Sequence, residues 1–237
     1  MDNDNILIST GWYADQERHK NYSQRSQLTF ASNWFCDYWM PYIERYINPG
    51  KYFIYSCECP VKPIFDKKDV NKIEIVYASR NASLLDHRHG FHAGVMLGLQ
   101  YALCEGRDFL YIEQDCLVVG LDKVIDWARC NIHDKLIVYG WDPWWFHPGW
   151  AEQSLMFVPN YAIPTVLYLI NNARVHENNT GVPEMNWHNL FQNCFVAWPF
   201  GYGRHQVTDW EQPMFYKQQV TDGEVEKFIN LETKVRN

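Results

Sequence analysis

At 237 residues the chain fits one large domain or two small ones and can bury a substantial core, roughly 70% of the surface its unfolded form exposes. Apolar residues are 47% and charged residues 21%, an ordinary globular composition, but 11 Trp, 15 Tyr and 13 Phe are an unusual aromatic load. A formal net charge of −7 argues against a nucleic-acid backbone or an anionic membrane surface as partner, and no apolar run approaches the ~20 residues of a membrane span.

In chain order, ILIST (6–10) reads as a first strand ending in small polar residues. Residues 30–46 predict a helix bent or divided at Pro41. KYFIYS (51–56) and IEIVYAS (73–79) are rich in β-branched and aromatic residues and read as strands. Residues 88–105 predict a helix, followed by DFLYIEQDCLVVG (108–120). There a strand buried on both faces stops on two acids. Asp122 is predicted to cap a helix reaching Arg129; KLIVYG (135–140) and SLMFVP (154–159) read as strands. Asn160 is predicted to start a helix over 161–173, with Pro164 in its first turn. From about residue 176 the pattern dissolves into Asn, Gly, Pro and Trp, which predicts loops. The alternation of strands and helices implies an α/β fold with crossovers in a mostly parallel sheet.

Seven cysteines, an odd number, with no leader-like N-terminus predict reduced thiols and a cytoplasmic location. Cys57 and Cys59 have no second pair at zinc spacing and read as packing residues. His87, His89 and His92 lack a carboxylate or cysteine partner for zinc; the helix start at Arg88 and Gly90 is better suited to an anion.

Ligands of open α/β sheets bind outside the carboxyl ends of the strands. Three such ends carry Thr10-Gly11-Trp12-Tyr13, Ser79-Arg80-Asn81 and Glu113-Gln114-Asp115. Alternation puts Glu113 and Asp115 on one side of an extended chain, where two acids repel unless a cation lies between them. Hard oxygen ligands of this kind suit Mg2+ or Mn2+. In WPFGYGRHQ (198–206) the glycines permit close backbone approach and present Arg204 and His205. Trp141, Trp144, Trp145, Trp150, Trp187, Trp198 and Trp210 read as a platform for sugar rings.

Taken with the polar end of the first strand, IEQDCLVVG and PFGYGRHQ resemble the GT-A-fold, nucleotide-sugar-dependent glycosyltransferases, similar to small enzymes of bacterial polysaccharide pathways and of large algal virus glycan assembly. The resemblance covers about residues 6–206. It departs from the usual Asp-x-Asp in placing Glu at 113. It implies a Rossmann-like central sheet in one domain over 1–237, with a nucleotide-sugar half to about 120 and an acceptor half with a C-terminal tail beyond. It implies a Mn2+ or Mg2+ ion on Asp115, with His205 and Glu113 as further ligands. Thr10, Gly11, Trp12, Tyr13, Arg80, Arg88, His89, Gln114 and Arg204 would serve the donor, a UDP-sugar by preference. The acceptor would be a glycan hydroxyl. For an inverting transfer Glu184 is the candidate base, with Glu152 and Asp142 in reserve. A carbohydrate-binding module without catalysis, or a glycoside hydrolase using Glu152 and Glu184, are the competing classes.

Overall fold

The computed structural model describes residues 5–14, 25–57, 59–65, 70–78, 87–141, 151–173 and 183–231, with the side chains of 57, 87–89, 141, 151–152 and 183–185 outside the description. A seven-stranded sheet has the order β3-β2-β1-β4-β7-β6-β8, and β5 and β9 form a separate two-stranded ribbon. The first strands are β1 (Ile6–Trp12), β2 (Lys51–Cys57), β3 (Ile73–Ala78) and β4 (Asp108–Ile112). They pair in parallel, as the sequence predicts, with β1 between β2 and β4. β7 (Ala151–Val158) then runs antiparallel to both β4 and β6 (Ile137–Trp141). β8 (Phe195–Ala197) adds in parallel at the far edge.

Alternation along the strands supplies two cores. Ile6, Ile8, Leu110 and Ile112 face one side; Leu7, Phe109 and Tyr111 face the other. The first side is covered by the segment from Phe30 to Ile47, by α3 (Leu121–Asn131) and by α6 (Asp222–Asn230). The second is covered by α2 (His87–Cys104), α4 (Ile163–Asn172) and α5 (Pro183–Phe191). Sheet with helices on both faces is the three-layer solution for such strands.

Several local predictions are corrected. Residues 30–46 are not one helix but a 3-10 turn (Gln27–Phe30), a π-helix (Phe35–Trp39) and then α1 (Met40–Glu44). Pro41 sits in the first turn of α1, where its missing N–H costs nothing. Asp122 does not cap α3. Gly120 does, in the left-handed region at φ 64°, and a side chain there would meet the Pro213 carbonyl. Asp122 lies in the first turn, where its charge suits the helix dipole. Asn160 opens a short 3-10 turn before α4, and its side chain donates to the Arg107 carbonyl instead of capping. The largest correction is the C-terminal third, which is no collection of loops: it holds α5, β8, β9 (Phe215–Gln218) and α6. α6 begins in a capping box, Thr221 accepting from the Glu224 amide while Glu224 accepts from the Thr221 amide.

Asp108 fixes the amino end of β4. Its carboxylate accepts from Arg129 at the end of α3, at 2.9 and 3.3 Å, and from the backbone amide of Asn160 at 2.9 Å. The opposite end of the same strand leads into Glu113-Gln114-Asp115.

Candidate active site

The strand order reverses direction at β1: the chain goes first to β2 and β3 on one side, then returns to β4 on the other. The carboxyl ends of β1 and β4 therefore flank the crevice in which open α/β sheets bind ligands. Just past β4 the chain turns, with the Cys116 amide donating to the Glu113 carbonyl at 2.9 Å. The acids thus sit in a turn and not on extended strand, yet Gln114 still points away from Glu113 and Asp115, which stay close enough to repel.

Gln114 points back to β1. Its carboxamide accepts from the Tyr13 amide at 2.7 Å and donates to the Tyr13 carbonyl at 3.0 Å and the Thr29 carbonyl at 3.1 Å. It extends the β1–β4 ladder beyond the last strand residue. Trp34, at the start of the π-helix, donates its indole N–H to the Gln114 carbonyl at 2.7 Å. The turn is held on both sides before any acid is considered.

Glu113 accepts on Oε2 from Ser154 Oγ at 3.0 Å and from Gln218 Nε2 at 2.6 Å. Asp115 is only 3% exposed. Its Oδ2 lies 3.4 Å from Arg25 Nη1, and its Oδ1 has no hydrogen-bond partner among the described residues. A buried carboxylate oxygen without a donor is costly unless a cation meets it. Burial first, then the Glu113 charge, push the Asp115 carboxyl up to about 7, against the opposing pull of Arg25 and Arg204. Burial and the same two acids also raise the Tyr111 phenol well above its ordinary value, so it stays a neutral hydroxyl.

The glycine loop approaches from β9. Gly201 has φ 140°, and a Cβ on it would lie 2.1 Å from the Tyr216 ring. The Tyr202 amide donates to the Tyr216 carbonyl and the Gln218 amide to the Gly203 carbonyl, so the loop rides along β9. β9 in turn pairs with β5 (Cys116–Val119), Gln218 opposite Cys116. This brings Arg204 Nε to Gln218 Oε1 at 3.2 Å. Turned so that its oxygen faces the guanidiniums, the Gln219 amide accepts from Arg25 at 2.6 Å and Arg204 at 3.0 Å.

The structure therefore gathers Tyr13, Glu113, Gln114, Asp115 and Arg204. Thr10 and Trp12 are predicted at the donor but are buried; Trp12 is 1% exposed and donates its indole N–H to the Val61 carbonyl. Gly11 lies between them on β1, close to the Tyr111 hydroxyl. His205 is exposed, and among the described residues no three His, Cys, Asp or Glu side chains are grouped to hold a metal. Arg88 and His89 lie in the first turn of α2, Glu152 in β7 and Glu184 in the first turn of α5, their side chains outside the described residues, as are Arg80 and Asp142 altogether. The tryptophan platform is corrected in part. Trp187 and Trp198 are core residues at 1% and 4% exposure. Trp210 packs against Phe215 and Phe228. Trp144, Trp145, Trp150 and the Trp141 side chain lie outside the described residues.

Sequence reading misses Arg25, Trp34, Ser154, Gln218 and Gln219. The one available signal is the Lys217-Gln218-Gln219 run, polar residues on a strand that pair inward because their partners are charged.

No protein-family model matches the chain, and no curated protein matches it. Its structure is similar to that of the galactosyltransferase LgtC, solved with donor and acceptor sugar analogs, with a TM-score of 0.54 at 10% identity, covering 97% of this chain and 95% of that one. A glycosyltransferase involved in glycosylation of the major capsid of PBCV-1 superimposes at TM-score 0.48 and 11% identity over 95% of this chain and 98% of its own. Mouse xyloside xylosyltransferase 1 gives 0.44 at 8% identity, covering 89% of each chain. The fold assignment rests on the first of these. The chain has the GT-A glycosyltransferase fold.

Proposed function

We propose that this protein is a metal-dependent glycosyltransferase that moves a sugar from a nucleotide-diphosphate sugar, UDP-sugar by preference, to a glycan hydroxyl with inversion. The observation that carries the reading is Asp115: a buried carboxylate with one oxygen lacking a hydrogen-bond partner among the described residues, at the carboxyl ends of β1 and β4, beside two guanidiniums. Such a carboxylate fits a hard divalent ion, Mn2+ or Mg2+, completed by water and substrate oxygens. When bound there, the ion would neutralise charge developing on the leaving diphosphate.

The chain's own groups then have these roles. Asp115 holds the ion; Glu113, committed to Ser154 and Gln218, orients the turn, and His205 on the adjoining loop is a further candidate ligand. Arg204, with Arg88 and His89 at the start of α2, would bind phosphate or ribose; Tyr13, Gln114 and Arg80 would serve the nucleotide. The half to about residue 120 serves the donor and the rest the acceptor. Glu184 takes the proton from the acceptor hydroxyl. Its place is supported by Trp187, one turn later, which donates its indole N–H to His92 at 3.0 Å and so ties the start of α5 to the start of α2 at the crevice end of the sheet. Glu152, two residues before the Ser154 that binds Glu113, and Asp142 are the reserves.

The test is hydrolysis and transfer with UDP-, GDP- and dTDP-sugars in Mn2+, with the anomeric configuration of the product read by NMR. Asp115→Asn should lose at least about 100-fold in turnover, since a bound ion supplies several kcal/mol. Glu184→Gln should lose about 10²–10⁴-fold in transfer while still binding donor. Sugar release from glycans without any nucleotide sugar would overturn the reading.

A further inference from the structure

We infer that Arg25 and Arg204 are built-in counter-cations of the acid turn, so that metal ion and nucleoside diphosphate enter the site as a mutually dependent pair. This rests on the donor reading above and adds what the site does before the donor arrives.

Charges and amides alternate around the turn. Glu113 accepts from Gln218 at 2.6 Å, and Gln218 accepts from Arg204 at 3.2 Å. Arg204 and Arg25 share the Gln219 oxygen at 3.0 and 2.6 Å, and Arg25 faces Asp115 at 3.4 Å. Among the described residues, two carboxylates are matched by two guanidiniums, with glutamine amides as neutral spacers. Gln219 takes this place through a left-handed backbone, φ 56°, held by the buried Lys217 ammonium, which donates to the Gln218 and Gln219 carbonyls.

A balanced site is a poor host for a lone divalent ion. An ion arriving at Asp115 Oδ1 adds two positive charges beside two guanidiniums already there. A diphosphate reverses this, because its negative oxygens give both guanidiniums a partner that matches their fork geometry. Arg25 is placed for such an exchange: its side chain is 25% exposed, whereas that of Asp115 is 5% exposed. Each ligand then raises the affinity of the other by one and the same factor.

The test is Mn2+ titration by calorimetry or electron paramagnetic resonance at about pH 8, with and without UDP, on wild-type, Arg25→Met, Arg25→Lys and Asp115→Asn proteins. Wild-type affinity for Mn2+ should rise at least about 10-fold with UDP. Arg25→Met should bind Mn2+ alone about 10-fold more tightly than wild type and lose most of the UDP effect. Arg25→Lys, which keeps the charge but not the fork, should retain the weak binding of Mn2+ alone. Asp115→Asn should bind no Mn2+. If Arg25→Met binds Mn2+ alone no more tightly than wild type while Asp115→Asn abolishes binding, the counter-cation role falls and the donor reading stands. Mn2+ binding indifferent to Asp115→Asn overturns both. Should Arg25→Met not fold, wild type decides, because a Mn2+ affinity unmoved by UDP overturns the pairing.

Discussion

Asp115 is a side chain whose charge the fold disfavours. Its carboxyl is raised from 3.8 to about 7, chiefly by burial, so between those values the folded protein holds a proton that the unfolded chain has released. The resulting contribution to stability is complete below the unfolded value and is lost as pH rises through about 7. In chelator, wild type should therefore lose stability on the order of a few kcal/mol between about pH 5 and pH 8, and Asp115→Asn should lose much less. Urea midpoints across that range measure it; equal slopes for the two proteins would place the effect elsewhere. Asp115→Asn, the substitution expected to remove turnover, should also stabilise the metal-free protein at neutral pH, the kind of trade known between stability and activity.

At the scale of elements, the glycine loop and the β5–β9 ribbon set the position of Arg204. Gly201 is the tightest point: Ala there would require an unfavourable φ and would overlap the buried Tyr216 ring. Gly201→Ala should cost about 1–3 kcal/mol in denaturant stability and weaken UDP–Mn2+ binding, whereas Arg204→Ala should weaken that binding with a smaller loss of stability. An unchanged urea midpoint would refute the close packing. These elements also mark where sequence reading reaches and where it stops. β1, β2, β3, β4 and α2 are legible because their apolar runs follow strand or helix periodicity. β8 has only three residues, and β9 carries Lys217 and Gln218 buried at 3% and 4%, so the hydrophobic pattern that would reveal a strand is missing. The acid turn is legible because a strand that stops on two carboxylates is a local signal. Arg25, Ser154 and the glutamine pair are not, because they reach the turn only through the folded topology. Trp187 and Trp198 mislead for the opposite reason: composition counts aromatic rings without telling which of them the core consumes.

For the whole molecule, a ligand that binds only the folded state stabilises it by mass action, about 2.7 kcal/mol at 100-fold excess over Kd. For a domain of this size UDP with Mn2+ should raise Tm by about 5–10 °C, and chelator should reverse the shift. An equal rise from UDP in chelator would show that the metal is dispensable for donor binding. Such a shift would report on a crevice whose walls come from distant parts of the chain: β1, the turn after β4, β7 and β9. Among the described residues, no helix is long and apolar enough to cross a membrane.

β4 joins two quite different ends. Asp108 anchors one through Arg129 and Asn160, and the other opens into the acid turn. Five residues of strand, at about 3.3 Å each, separate the two by roughly 17 Å. Groups that far apart, sharing no partner, combine additively in their effects on stability. The acid turn can therefore change its residues while the anchored end continues to hold α3 and α4 to the sheet. A single short strand thus holds the candidate site and the anchorage of the fold apart.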